Sequence, residues 1–478
     1  MSENERRDGV TLPTSTDEPA PKTVTRLELG FERILTPFER FVKNQAASGI
    51  VLFAAAVLAV LLANSDLAEP YRAFFEQHFG IVFENWRLEK TLLHWINDGL
   101  MALFFFLLGL EIKRELLAGD LREHRRAALV MIAALGGMLG PAAIYYALNT
   151  QGVAAEGWGI PMATDTAFAI GALALLANRV PRGLTAFLAA LAIVDDIGAV
   201  LVIALFYSQD ITPQALLWAG LMLAMLLAAN RLGLRTAWPY FLGGAVVWYW
   251  VVQSGVHATV AGVLVAAVVP ARPRYTPQAF SQRMDDLMDR FHRILQQERT
   301  TVLESDAQHA LLDSVRDTAR LATTPLQRWE EAWTVPVGIL VLPIFAFANA
   351  GVTLDGQEFI QALTSDVTLG ILLGLLGGKI LGISLFTWLG LRTGLGRLPQ
   401  GVRMPHIIGM SMLAGVGFTM SIFIAQLAFQ DRPEFLAEAK LGILAVSLLA
   451  LSAGMAWLAW VGPTGRLSGA GDKAQEAR

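Results

Sequence analysis

Residues 183–207 read GLTAFLAALAIVDDIGAVLVIALFY. The stretch is apolar except at its centre and is long enough to cross a bilayer, which takes about 20 residues. Its centre carries two adjacent acids, Asp195 and Asp196. A charged side chain at the bilayer centre costs at least ~2.5–3.5 kcal/mol on insertion scales. Two such groups side by side point to a cation or proton path through the protein, ahead of a structural carboxylate pair inside a helix bundle. Neighbours on a helix lie about 100° apart. The two acids therefore cannot face the same spot, and one can hold an ion while the other meets a different partner.

The rest of the chain fits that span. Of 478 residues, 54% are hydrophobic and 16% charged, whereas soluble domains carry about 25% charged residues. The apolar residues gather in runs near 46–64, 93–112, 127–148, 159–178, 184–207, 214–230, 236–252, 255–271, 333–353, 367–390, 404–429 and 438–462. This is the pattern of an all-α polytopic membrane protein of about twelve transmembrane helices, in contact with lipid. A net charge of −4 gives no reason to expect nucleic acid as a partner. The absence of cysteine excludes disulfides, thiolate catalysis and cysteine metal sites. The N-terminus, MSENERRDGV, lacks the apolar core of a cleaved signal peptide, so the first span is expected to serve as the insertion signal.

Basic residues set the orientation. Alternate loops carry Lys113, Arg114, Arg122, Arg125 and Arg126; Arg179 and Arg182; Arg231 and Arg235; Arg272 and Arg274; and Arg392, Arg397 and Arg403. The loops between them, NTQGVAAEGW, YSQDITPQ, QSG and TLDGQEFIQALTSD, hold no Lys or Arg. Both termini are thereby placed in the cytoplasm.

Segments outside the spans follow from composition. Residues 1–44 are polar and read as a cytoplasmic flexible tail, and 464–478 as a second cytoplasmic tail. Spans one to eight occupy 45–271, with an outside loop at 65–92 that is rich in aromatics and long enough for a small hairpin. An inside segment, 272–328, separates them from spans nine to twelve in 329–463. Within it Phe280, Met284, Leu287, Phe291 and Ile294 recur at alternating four- and three-residue spacing. That spacing predicts an amphipathic helix, paired with a weaker one around 307–321. A self-packed helical hairpin of no catalytic importance is the preferred reading of the insert over a regulatory module.

Other polar groups lie inside the spans. Lys379, in LGILLGLLGGKILGISLF, follows the uncharged stretch Thr368–Gly378. That stretch leaves it no easy escape to the interface, so a carboxylate partner is expected. Asp165 lies in GIPMATDTAFAIGALALL, where Pro161 weakens the helix and Thr164 and Thr166 supply hydroxyls. GMSMLAGVGFTMSIF carries Gly409, Gly415 and Gly417 in a comparable interruption. A broken helix is tolerated in a membrane where it lines a cavity. Two broken spans in the two halves predict an inverted repeat with interrupted helices crossing near the midplane and an ion site between them; close packing at glycine alone is the competing reading. Glu111, Arg114 and Glu115 share one face at the expected cytoplasmic mouth, and Glu330 begins the ninth span from the same side. His257 opens the eighth span in SGVHATVAGV, where a lone His is more often a structural residue than a ligand. Asn97, Asp98 and Asn349 are further polar groups at span ends.

The strings GLEIKREL, ATDTAFAIGALALL, LAIVDDIGAVLVIALFY, SGVHATVAGV, LPIFAFANAGV, GKILGISLF and GVGFTMSIFIA closely resemble the NhaA family of bacterial sodium/proton antiporters, from about residue 38 to 462 outside the insert. NhaA is itself one of the proteins that exemplify the inverted-repeat architecture. The resemblance implies that Asp196 is the principal sodium-binding carboxylate, with Asp195 beside it, and that Asp195 and Lys379 form an ion bridge broken during transport. It places Asp165, with Thr164, at the crossing of two unwound chains, and assigns pH sensing to Glu111, Arg114, Glu115, His257 and Glu330. Sodium is expected on Asp196, Asp195 and Thr164. The chain departs from the family in its long N-terminal tail, in the insert, and in Glu331, where a basic or His residue fits the family better.

The implied function is electrogenic, pH-regulated exchange of cytoplasmic Na+, and of Li+, for external H+, in sodium and pH homeostasis at the bacterial inner membrane. No cofactor and no enzymatic reaction are expected, and a homodimer through the outside loop is. A free Asp titrates near ~3.9, and desolvation raises a carboxylic acid toward neutral pH, where proton and sodium compete. A sodium-coupled symporter of a small solute is the alternative. An intramembrane aspartyl protease is disfavoured, because its acids must share a proton across facing helices and its GxGD-type string is absent.

Overall fold

The computed structural model describes residues 45–83, 86–119, 123–177, 179–208, 210–297, 305–353 and 356–462. The two tails expected at 1–44 and 464–478 lie outside the described residues.

The elements are helices with one small hairpin between them. Helix α1 (Gln45–Ala63) is followed by α2 (Ala68–Glu76), bent from it by 114°. Strands β1 (His78–Phe83) and β2 (Trp86–Thr91) pair antiparallel, with His78 opposite Thr91 and Gly80 opposite Glu89. This is the hairpin expected in the 65–92 loop. Then come α3 (Leu92–Ala118), α4 (His124–Leu148), a 3₁₀ segment (Val153–Met162), α5 (Thr166–Leu175), α6 (Arg182–Phe206), α7 (Pro213–Arg231), α8 (Ala237–Gln253) and α9 (Thr259–Val268). After α10 (Pro277–Gln297) and α11 (Asp306–Ala322) follow α12 (Pro325–Asn349), α13 (Gly356–Leu363), α14 (Asp366–Arg392), α15 (Met404–Ala414), α16 (Phe418–Ala428) and α17 (Pro433–Val461).

Eight of these helical stretches, the 3₁₀ segment and α5 taken together as one, are long and apolar enough to cross a membrane. They become ten if each of the bent pairs α1–α2 and α15–α16 forms one span. The eighth apolar run is helical only over ten residues, Thr259–Val268. At 1.5 Å per residue that covers about 15 Å, half of a hydrocarbon core. A polytopic all-α membrane protein is therefore what the chain builds. Large apolar side chains stay uncovered along the outer faces, among them Phe53, Leu61, Leu217, Leu242, Leu381 and Leu385, as expected where the solvent is lipid rather than water.

Packing is tightest where side chains vanish. Helix α4 carries Gly136 and Gly140, and α14 carries Gly378 and Gly382. A Cβ on Gly382 would fall on the Gly136 carbonyl, and one on Gly140 would sit 2.7 Å from the Gly378 carbonyl oxygen. Small residues four apart on both helices let the backbones touch. One core cluster includes Phe105, Phe345 and Phe423, and a second includes Leu188, Ile383 and Met410; both take in residues of the broken helices. The insert is a helical hairpin, α10 against α11, with Leu287 buried at its centre. Its base is closed by Arg274 N–H donating to the Leu321 carbonyl at 2.9 Å.

Candidate functional site

Two chains lose their helical form and meet at the loss. The 3₁₀ segment holds Pro161 and ends at Met162; α5 begins at Thr166. Opposite, α15 ends at Ala414 and α16 begins at Phe418, with a 49° bend. Asp165 N–H donates to the Val416 carbonyl at 2.7 Å, and the Thr164 hydroxyl lies 2.8 Å from the Ala414 carbonyl. The unwound strands thus cross and satisfy each other's backbone. Ser421 Oγ donates to the Ile160 carbonyl at 2.9 Å, and Phe418 N–H donates to Ser447 Oγ at 3.2 Å. Freed backbone groups with such partners are tolerable away from water.

Asp165 serves both half-helices. Its Oδ1 accepts from Phe168 N–H at 3.3 Å, capping α5. Its Oδ2 accepts from Thr419 N–H at 3.2 Å and the Thr419 hydroxyl at 2.5 Å, in the first turn of α16. Helix N-termini carry partial positive charge. One carboxylate between two of them is stabilised by both and keeps the crossing in register.

The ion pair expected from the sequence is present. Lys379 Nζ lies 2.7 Å from Asp195 Oδ2, with both side chains fully buried. Thr164 Oγ1 is 3.2 Å from the same oxygen, so the threonine hydroxyl bridges the crossing to the pair. Asp196, on the adjoining face, has Thr166 Oγ1 at 3.4 Å from Oδ2 as its contact. Among the described atoms, Oδ1 of Asp195 and Oδ1 of Asp196 are buried without a hydrogen-bond partner. Each acid thus has one spare carboxylate oxygen and one threonine hydroxyl against the other, and oxygen donors of this kind suit a hard cation. Lys379 is delivered by α14 directly after a π-helical stretch, Leu373–Gly378. π turns inside helices are frequent at functional sites. The glycine contacts of α4 with α14 bring Gly137 close: a Cβ there would stand 3.6 Å from Asp195 Oδ1.

The residues implied in pH sensing fall in two places. Arg114 Nε lies 2.7 Å from Glu330 Oε1, and Arg114 Nη1 is 3.9 Å from Glu115. Glu111 shares this end, on the α3 turn before Arg114. Lys113 Nζ donates to the Val269 and Ala267 carbonyls, closing the end of α9. His257 does not join them. Its Nδ1 is 2.8 Å from Thr259 Oγ1 and its Nε2 is 3.8 Å from Asp98, which also meets Lys90 at 3.2 Å. Glu330 is reached from a well-formed helix start, since Thr324 and Gln327 make a capping box just after α11 ends at Ala322. Near His257, Asn97, Asn349 and Gln426 close a ring of side-chain amide hydrogen bonds linking α3, α12 and α16.

Three contributors escape a reading of the sequence. Thr419, Gln426 and the paired glycines of α4 and α14 hold the site together, yet Thr and Gly are ordinary in membrane helices. The spacing of glycine in GGMLG and GGKILG was the available signal.

The family model described as Na+/H+ antiporter 1 matches residues 39–458. This chain belongs to that family. Similar members of the Na+/H+ antiporter 1 family include Na(+)/H(+) antiporter NhaA 1 of Saccharophagus degradans, 48% identical over 433 residues, 91% of this chain and 93% of its own. NhaA of Acidithiobacillus ferrooxidans is 50% identical over 433 residues, covering 89% of this chain and 97% of that one. NhaA of Syntrophobacter fumaroxidans is 45% identical over 469 residues, 98% of this chain and 99% of its own. The Syntrophobacter protein thus has nearly the same length. The long N-terminal segment and the insert, expected above to set this chain apart, go with a length close to that member's.

Proposed function

We propose that this chain exchanges sodium for protons across a bacterial inner membrane, as a secondary active transporter and not an enzyme. One observation carries the reading: Asp196 sits buried with a spare carboxylate oxygen and the Thr166 hydroxyl beside it, next to the buried Asp195–Lys379 pair that the Thr164 hydroxyl touches. A carboxylate holds a proton or a hard cation through the same oxygens, not both well. If only the occupied states change access, sodium leaves as protons enter. Sodium settling on Asp196 and Asp195, with Thr164, loosens the Lys379 bridge, because one oxygen cannot serve both cations well. Asp165 holds the two half-helices in place while this happens, its carboxylate already occupied by three donors.

The finer parts of the proposal follow from the family. Lithium is carried as well as sodium. More protons enter than sodium leaves, so each net charge moved gains about 2.3 kcal/mol per 100 mV. The Glu111, Arg114, Glu115 and Glu330 cluster senses cytoplasmic pH, and His257 responds from the opposite end. The alternation of basic loops supports cytoplasmic termini. A homodimer forms through β1 and β2, since a two-stranded hairpin is marginal by itself and leaves both edges open to another copy.

Proteoliposomes loaded with a pH-sensitive dye test the exchange. Adding NaCl outside should dissipate an acid-inside gradient, and an imposed potential should change the rate. No response of the dye to NaCl, together with sodium uptake that requires an added organic solute, would favour sodium-coupled symport instead.

A further inference from the structure

A polar cavity, of about 530 Å³, opens at the end of the bundle proposed to face outside. It lies where α4 ends and where α14 and α17 begin, and its walls include Asn149, Thr150, Gln151, Ser365, Asp366 and Glu438. Asp366 and Glu438 bring two carboxylates to one chamber, with Glu434 near enough to add to the field at Glu438. Among the described residues, neither carboxylate is paired with a Lys or Arg. Like charges held together in this way disfavour the fold unless something neutralises them.

Asn149 supplies the independent sign of a ligand. It is 3% exposed, and its Nδ2 donates to the Asp366 carbonyl at 2.9 Å and the Tyr145 carbonyl at 3.3 Å. Both partners are acceptors, so the amide cannot be flipped without losing them. Its Oδ1 is thereby fixed as an acceptor, buried and without a protein donor. The amide oxygen of Asn149, the carboxylates of Asp366 and Glu438, the Thr150 hydroxyl and the Gln151 amide oxygen put oxygen donors on the residues that line one cavity. Calcium and related hard cations take six to eight oxygens, including carboxylates, amide carbonyls and waters. The chamber is roomy enough for an ion that keeps part of its hydration.

We infer that the cavity between Asn149, Asp366 and Glu438 is an external binding site for a hard divalent cation, distinct from the Asp195–Asp196 centre. Occupancy ties the outer ends of α4, α14 and α17 together. Helix α14 carries Lys379, so the bound cation braces the helix that holds the central ion pair. The side of the membrane follows the orientation proposed above; binding itself does not depend on it or on exchange activity.

The test is equilibrium binding of ⁴⁵Ca²⁺ to the full chain in detergent, with NaCl at about 150 mM, near physiological ionic strength. One saturable site per chain is expected, half-filled between about 0.1 and 1 mM, the range of extracellular calcium modules, and displaced by MgCl₂. Glu438→Gln, Asp366→Asn and Asn149→Leu should each weaken it at least tenfold, while Asp196→Asn leaves it unchanged. CaCl₂ should raise the melting temperature of the parent protein and not of Glu438→Gln. Asp366 is exposed, so Asp366→Asn reports on the site even if Asn149→Leu does not fold. Absence of saturable binding up to about 10 mM, tenfold beyond that range, overturns the inference. So does binding that survives all three changes, or that is lost in Asp196→Asn, which would put the calcium at the central carboxylates.

Discussion

A buried carboxylate with a spare oxygen is the smallest unit of this transporter. Asp196→Asn keeps the shape and removes both the titratable proton and the negative charge. The variant should insert and melt like the parent and show no sodium-driven proton movement in proteoliposomes; exchange at parental rates would remove Asp196 from its proposed role. The Lys379 pair admits a sharper test. Lys379→Ala leaves Asp195 without its cation in a dry site, and breaking a buried pair from one side costs ~3–5 kcal/mol. Adding Asp195→Asn removes the orphaned charge, so part of the lost stability should return. Melting temperatures of the two single variants and the double variant form the cycle. Additive losses would mean that the 2.7 Å contact contributes nothing. Asp195, Asp196, Asp165 and Lys379 were legible in the sequence because a charge inside an apolar run is costly and cannot be incidental. Thr419 was not, although it holds Asp165 as closely as any group does. A hydroxyl costs little in a membrane helix, so its presence carries little information.

At the scale of elements, legibility depends on whether a signal is local. The insert's hairpin follows from a period that one helix displays by itself, and the structure has it at Pro277–Gln297 and Asp306–Ala322. The break at Asp165 follows from Pro161 and that at Gly415 from glycine. What no local pattern encodes is that the two breaks touch, because the Asp165–Val416 contact joins residues far apart in the chain. The same holds for the separation of His257 from Arg114 and Glu330: the resemblance groups the three together, yet His257 meets Thr259 and Asp98 while Arg114 meets Glu330. Helix packing at glycine supplies a prediction. A methyl on Gly382 would strike the Gly136 backbone, whereas a Cβ on Gly377 meets nothing within 4 Å. Gly382→Ala should therefore force α14 away from α4, destabilise by about 1–3 kcal/mol as overpacking does, and slow exchange by displacing Lys379. Gly377→Ala, two residues from the same lysine, should leave exchange intact and gain up to ~1 kcal/mol from reduced backbone freedom. Equal effects from both would show that close approach of the two helices is not what positions the lysine.

The whole molecule is a membrane bundle with one soluble appendage, and the question at this scale is whether the appendage belongs to the machine. Helices α10 and α11 pack on each other, and the chain enters and leaves them at one place, where Arg274 and Leu321 are joined by a backbone hydrogen bond. A second bond, from Leu326 N–H to the Pro270 carbonyl at 3.1 Å, fastens α12 to the end of the preceding span without help from the insert. The cap of α12 at Thr324 is likewise made by Gln327, within α12 itself. Removing residues 276–322 and joining the ends by a short Gly/Ser linker should therefore leave α12, Glu330 and its 2.7 Å contact with Arg114 in place. Sodium-dependent proton movement in proteoliposomes is expected at no less than about half the parental rate, a barrier change below 0.5 kcal/mol by transition-state arithmetic. The pH profile is the more sensitive readout, since the excised segment leads into the Arg114–Glu330 cluster. A shortened protein that inserts and melts normally but exchanges nothing at any pH would make α10 and α11 part of the transport mechanism. A shift of the profile alone would make them a modulator acting through Glu330, and combining the deletion with Glu330→Gln should then abolish the shift.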